Sequence, residues 1–84
     1  MGSADLTNAQ KLQALVCDTF LLEPAQYRAD LRRDQVDTWD SLGVVALAVG
    51  VQETFGYHLK PEEATGLRGI ADLISLLRAK GIEL

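Results

Sequence analysis

The sequence has one cysteine, one histidine and two prolines among its 84 residues, and these shortages exclude several classes of protein. A single cysteine, Cys17, cannot form an internal disulfide, so a reducing compartment, the cytoplasm, is the expected location. Cys17 lies in an apolar helical pattern, which favours a buried thiol over a reactive one. His58 is remote from it in sequence, and we find no metal-ligand or Ser/His/Asp spacing. We therefore expect neither a metal site nor an autonomous enzyme.

Long apolar runs and excess positive charge are also missing. No apolar stretch approaches the roughly 18 residues of a membrane span, and we expect no signal peptide. Eight Lys and Arg against twelve Asp and Glu give a net charge of −4, which disfavours nucleic acid binding and favours a basic partner surface. Arg28, Arg32 and Arg33 are interspersed with Asp30 and Asp34, a mixture typical of a solvated loop.

The length predicts one domain spanning residues 1–84, with residues 1–6 disordered or left over from cloning. A chain of this size buries roughly 60–65% of the surface exposed when unfolded, which allows a thin core and no deep substrate cavity. Hydrophobic residues make up 48% of the sequence, a typical share for a folded globular protein.

Local signals predict helices at both ends of a long connection. Thr7 and Gln10 form a capping box ahead of an apolar helical pattern, so the first helix should run from about Asn8 to Leu22 and end before Pro24. The connection over residues 24–39 has sparse apolar anchors and room for one short helical turn. Those anchors are Tyr27, Leu31 and Val36.

Asp40 is a suitable N-cap for a second helix that runs from Ser41 to a stop near Gly56. Trp39 and Val44 are spaced for a hydrophobic staple at its start. Pro61 followed by two acids predicts a short third helix, and an apolar stripe from Ile70 predicts a last helix ending at Lys80-Gly81. The fold class is therefore all-α, a bundle of three to four helices.

The second helix carries two apolar stripes. One is the expected core face and comprises Val44, Leu47, Ala48, Val51 and Phe55. The other comprises Leu42, Val45, Ala46 and Val49, and we predict that part of it stays exposed as a partner site. The alternative is that the long connection folds over this second stripe. Gly50 leaves room for a neighbouring helix or a ligand, or is a neutral surface glycine.

Four segments together resemble the acyl carrier protein family: Asp40-Ser41-Leu42, Glu53-Thr54-Phe55-Gly56, Leu59 to Ala64, and the Ile-Ala-Asp-Leu-Ile run from Ile70. The resemblance covers roughly residues 8 to 81. It implies that Ser41 carries 4′-phosphopantetheine through a phosphodiester, and that the arm's thiol holds an acyl group as a thioester. It also implies that Asp40 and Leu42 help a phosphopantetheinyl transferase to recognise Ser41. The remaining partners would be acyl-loading and acyl-transfer or synthase enzymes, with the carrier a monomer.

Two departures from the family pattern bear on the pathway. Fatty-acid carriers usually have acids along the second helix, whereas here Glu53 is the first acid after the motif, and Trp39 replaces a small residue. Both features favour a specialised carrier for a polyketide, nonribosomal peptide or dedicated acyl-transfer pathway. Its partner surface would be the stripe Leu42, Val45, Ala46 and Val49, with Glu53. The alternative is a non-catalytic interaction module in which Ser41 is an ordinary, unmodified first-turn serine.

Overall fold

The computed structural model describes residues 6–84, so the expectation for residues 1–6 lies outside the described residues except at Leu6, which is exposed. Four α-helices follow one another, and within residues 6–84 no β-strand is formed, which confirms the all-α fold class. They are α1 (Asn8–Phe20), α2 (Ser41–Phe55), α3 (Pro61–Thr65) and α4 (Ile70–Ala79). None of the helices described is both long and apolar enough to cross a membrane.

The predicted helix starts are confirmed by their capping contacts. The Thr7 hydroxyl accepts a hydrogen bond from the Gln10 N–H at 3.1 Å, and the Gln10 side chain accepts one from the Thr7 N–H at 2.9 Å. Asp40 caps α2, Pro61 occupies the first turn of α3, and Gly56 ends α2 in a left-handed conformation with φ 76°. These ends depend on local chemistry, which is why the sequence predicts them.

The predicted end of the first helix was wrong by two residues. α1 stops at Phe20 because Leu21 adopts a left-handed conformation with φ 58°. The N–H of Leu22 then donates to the Cys17 carbonyl at 2.9 Å, which closes the helix before Pro24 exerts any constraint. A left-handed leucine is uncommon because its Cβ crowds the backbone, so nothing in the residue type signals this stop.

The connection between α1 and α2 is more ordered than predicted, with two 3₁₀ turns, Pro24–Gln26 and Arg33–Gln35, in place of at most one. Leu31 and Val36 are buried anchors as expected, and Tyr27 is half-buried. The isolated bridge between Arg32 and Gly69 ties the connection to the segment that precedes α4.

The core is formed by α1, α2 and α4 and the connection between α1 and α2, with Leu59, Ala64 and Leu67 added from α3 and its flanking segments. Its fully buried members are Leu12, Val16 and Phe20 of α1, Leu47 and Val51 of α2, and Ile70, Leu73 and Leu77 of α4. Trp39 is buried as well and stacks on Phe20, with ring centroids 4.9 Å apart. On the predicted core face of α2, Val44 is buried, whereas Ala48 and Phe55 are only partly so.

A polar contact ties the α2–α3 connection to α3. The Tyr57 hydroxyl donates to the Glu63 carboxylate at 2.6 Å, and the Lys60 N–H donates to the same oxygen at 3.0 Å. The Lys80 ammonium lies 5.6 Å from the centroid of the Tyr57 ring. The Glu63 hydrogen bond raises the pKa of Tyr57 to about 12, and the same bond is the main cause that lowers the pKa of Glu63.

Candidate functional site

Ser41 is exposed and is the first residue of α2. The preceding Asp40 fixes this turn, because its carboxylate accepts a hydrogen bond from the Gly43 N–H at 2.9 Å and its carbonyl accepts one from the Val44 N–H at 2.9 Å. The first N–H groups of a helix have no intrahelical acceptor, and the helix dipole makes this end favourable for negative charge. The hydroxyl of Ser41 is therefore held on a rigid turn, open to solvent, where an attached anion is tolerated.

Gly43 allows the connection to approach this turn closely. A Cβ placed on Gly43 would overlap the backbone oxygen of Thr38 and press on the ring of Phe20. The Thr38 hydroxyl donates to the Phe20 carbonyl at 2.8 Å, which holds Thr38 against the end of α1. Thr38 therefore contacts both the first turn of α2 and the end of α1. The sequence analysis did not predict that Gly43 permits this close approach.

A groove of about 420 Å³ begins at Ser41 and runs between α2 and α3. Its apolar lining comes from Val44, Val45, Ala48, Val49, Leu59, Pro61 and Ala64. Arg33, Gln52, His58 and Thr65 supply its polar lining. Ser41 and Gln52 are eleven residues apart in α2, so the groove follows the helix for about 16 Å. Sequence reasoning missed this groove because it depends on where the short α3 packs.

The second stripe of α2 is exposed, and the connection does not cover it. The exposed fractions are 80% for Leu42, 61% for Val45 and 51% for Val49, and Ala46 and Glu53 are exposed as well. Val45 and Val49 also line the groove, so the exposed stripe and the groove are continuous. Its use as a partner surface stays a prediction.

Gly50 lies where α1 and α2 pack together. A Cβ on Gly50 would overlap the end of the Leu15 side chain, so this glycine provides room for a neighbouring helix. Of the alternatives considered for Gly50, the helix contact is the one the structure favours.

The remaining reactive groups do not form a second chemical site. Cys17 is half-buried, less than expected, and burial followed by the charge of Glu23 raises the pKa of its thiol, which weakens it as a nucleophile. His58 contacts Gln52, with Nδ1 and Oε1 3.0 Å apart. Among residues 6–84 there is no cluster of three His, Cys, Asp or Glu suited to a metal ion.

The three clustered arginines have different environments. Arg28 and Arg32 form exposed ion pairs with Asp30 at 3.3 Å and Asp34 at 3.4 Å, as expected of a solvated loop. Arg33 instead is half-buried, and its Nε donates to the Trp39 carbonyl at 3.2 Å. The interpretation of the cluster as a solvated loop was therefore wrong for Arg33.

Comparison with known proteins supports the resemblance noted from the sequence. No protein-family model matches the chain. The chain is 26% identical over 70 residues to Acyl carrier protein 2 of Ralstonia nicotianae, a match that covers 83% of this chain and 86% of that protein. This similarity over most of both chains supports the acyl carrier protein family and, in general terms, a carrier protein and not a catalytic enzyme.

Proposed function

We propose that this protein is an acyl carrier protein that holds acyl or aminoacyl groups as thioesters on a 4′-phosphopantetheine arm attached to Ser41. The observation that carries the proposal is the placement of Ser41. It is an exposed serine between Asp40 and Leu42, on a capped helix start, at the mouth of an apolar groove. The similarity to a carrier protein along most of the chain supports the same function.

The residues around Ser41 fit the group. The phosphodiester would lie at the N-terminus of a 15-residue helix, where the dipole and the free N–H groups favour negative charge by about 0.3–1 kcal/mol. The apolar groove beside Ser41 suits the methylene and methyl groups of an arm or its cargo. The arm supplies the thiol that forms the thioester, and the protein's own residues supply the rigid attachment point and the surface that partners bind.

Attachment requires a transferase and coenzyme A. The Ser41 oxygen forms a bond to phosphorus while the phosphoanhydride bond of coenzyme A breaks. Adenosine bisphosphate leaves with the electron pair, and the serine proton passes to a base of the transferase. Asp40 and Leu42 flank the hydroxyl, and the 80% exposed side chain of Leu42 is available for contact with the transferase.

We further propose that the carrier serves a specialised pathway in the cytoplasm, such as polyketide, nonribosomal peptide or dedicated acyl-transfer synthesis. The outer surface of α2 supports this proposal, because Leu42, Val45, Ala46 and Val49 are exposed where fatty-acid carriers place acids. Loading, transfer or synthase enzymes would dock on this stripe mainly through apolar burial, with Glu53 at its far end.

Incubation of the unmodified protein with a promiscuous phosphopantetheinyl transferase and coenzyme A tests the function. Intact mass should rise by one phosphopantetheinyl group in the wild type and not in Ser41→Ala. Ser75→Ala is a matched control, because Ser75 is also exposed and also precedes leucine, but it follows isoleucine within α4. Modification of Ser41→Ala would show that the site is elsewhere, and no modification of the wild type would favour the interaction module.

A further inference from the structure

The main chain of Arg33 is held against the segment that precedes α4. Its N–H donates to the Arg68 carbonyl at 2.7 Å, beside the bridge between Arg32 and Gly69. The N–H of Ile70 donates to the Leu31 carbonyl at 2.9 Å on the other side of this bridge. The backbone that carries Arg33 is therefore fixed to the start of α4, although it belongs to a long connection.

The guanidinium of Arg33 is also oriented. Its Nε donates to the Trp39 carbonyl at 3.2 Å, and the two Nη groups have no hydrogen-bond partner among residues 6–84. Trp39 precedes Ser41 by two residues, so at most about 7 Å of backbone separates them. Arg33 and Ser41 line the same groove. Arg33 therefore lines the groove that a group attached to Ser41 would enter, and its Nη groups are free of other hydrogen bonds within residues 6–84.

The negative charges expected around Ser41 favour a nearby cation. The Asp40 carboxylate adjoins Ser41, so a phosphodiester on that serine would place two negative charges on neighbouring residues. Arg33 is the one Lys, Arg, Asp or Glu among the described residues that line the groove. A planar guanidinium with free N–H groups is the side chain best matched to phosphate oxygens.

We propose that Arg33 binds the phosphodiester on Ser41 through its Nη groups and offsets the repulsion from Asp40. The inference rests on the proposed attachment of phosphopantetheine to Ser41 and adds a residue of this chain that fixes the root of the arm. Because the main chain and Nε of Arg33 are already held, little conformational freedom is lost when the contact forms.

The test compares melting temperatures before and after modification in wild type, Arg33→Gln and Arg32→Gln. The change in melting temperature on modification should be about 2–5 °C more favourable in the wild type than in Arg33→Gln, since a partly exposed ion pair is weak. Structural damage by the substitution affects both forms and cancels in this difference. Arg32→Gln, which removes an exposed neighbouring charge, should behave like the wild type. The wild-type advantage should shrink in 1 M salt because the contact is electrostatic.

A second measurement uses the wild type alone and does not depend on the folding of a variant. The side-chain Nη resonances of Arg33 should shift between the unmodified and modified protein, while those of Arg32 should not. Unchanged Arg33 resonances, or equal changes in melting temperature for all three proteins, would overturn the contact while leaving modification of Ser41 intact. If mass spectrometry instead shows no modification of Ser41, the proposed function fails and this inference fails with it.

Discussion

The same substitution at two glycines of α2 should have different consequences for stability. Gly43→Ala and Gly50→Ala both replace a helical glycine with alanine, which by helix propensity alone adds about 0.5–1 kcal/mol of stability. What differs is the atom that the new methyl group meets. At Gly43 it is the backbone oxygen of Thr38, whereas at Gly50 it is the end of the Leu15 side chain.

The atom that the methyl group overlaps decides how much stability is lost at each position. Thr38 is held by its hydroxyl to the Phe20 carbonyl, so its oxygen can move only if the end of the connection moves. Such overpacking costs about 1–3 kcal/mol, and Gly43→Ala should therefore lose about 1–2 kcal/mol after the propensity gain. Leu15 is half-buried and can leave its rotamer for about 0.5–1.5 kcal/mol, so Gly50→Ala should stay within about 1 kcal/mol of the wild type.

Urea unfolding followed by circular dichroism measures the change in free energy of unfolding for both variants, and thermal unfolding gives their melting temperatures. A domain of 84 residues has a total stability of about 4–13 kcal/mol, so both variants should remain folded at room temperature. Gly43→Ala should melt about 5–15 °C below the wild type, and Gly50→Ala near it. If Gly43→Ala is as stable as the wild type, or if the two variants are equal, the close approach of the connection to α2 is not a constraint on the fold.

Two further predictions concern charge and docking. In the wild type, the hydrogen bond between Tyr57 and Glu63 should contribute stability that is present above pH 4.5 and is lost at lower pH as Glu63 is protonated. The same stability should be lost between pH 10 and about 12 as Tyr57 ionises. Glu63→Gln should remove this contribution. Melting temperature against pH should show this, whereas Glu62→Gln, at a side chain without a described hydrogen bond, should follow the wild type. Val49→Asp should weaken transferase binding about tenfold or more with little effect on folding, and Glu53→Gln should change it less, because apolar burial contributes more than an exposed ion pair. Affinity that falls steeply with salt, or that is indifferent to Val49→Asp, would show that docking is electrostatic or uses another surface.

The helices could be predicted from the sequence because their ends depend on neighbouring residues. Thr7, Asp40 and Pro61 each begin a helix through a contact or a constraint within one turn. Leu21 and the second 3₁₀ turn were missed for the opposite reason. Leu21 adopts a strained conformation that its residue type disfavours, and the turn at Arg33 lies beside backbone hydrogen bonds to residues more than 30 positions away.

The same distinction between local and long-range contacts decides which parts of the candidate site could be predicted. Ser41 could be predicted because the flanking residues and the helix start are adjacent in sequence, and the exposed stripe follows from helical periodicity on α2. The groove depends on the packing of α3. The position of Arg33 depends on the hydrogen bond from its N–H to the Arg68 carbonyl, beside the bridge between Arg32 and Gly69, so neither feature has a local signal. The charge pattern around Arg33 even pointed to a different environment from the one that it occupies.

The apolar residues of α2 divide between the core and solvent, although the helix begins at an exposed serine. Leu47 and Val51 are buried in the core, whereas Leu42, Val45 and Val49 remain exposed, the last two along the groove. Leaving these three side chains exposed costs little folding stability, because they are also exposed in the unfolded chain.

The exposed apolar side chains of α2 favour association, which a net charge of −4 opposes between identical copies. A partner with a basic rim around an apolar patch escapes that repulsion, so a charge that opposes self-association should favour such a partner. Neutralising substitutions outside α2, such as Glu83→Gln at an exposed side chain, should therefore increase self-association at high protein concentration in light scattering. Unchanged self-association would show that the exposed stripe is too small to drive contact between copies.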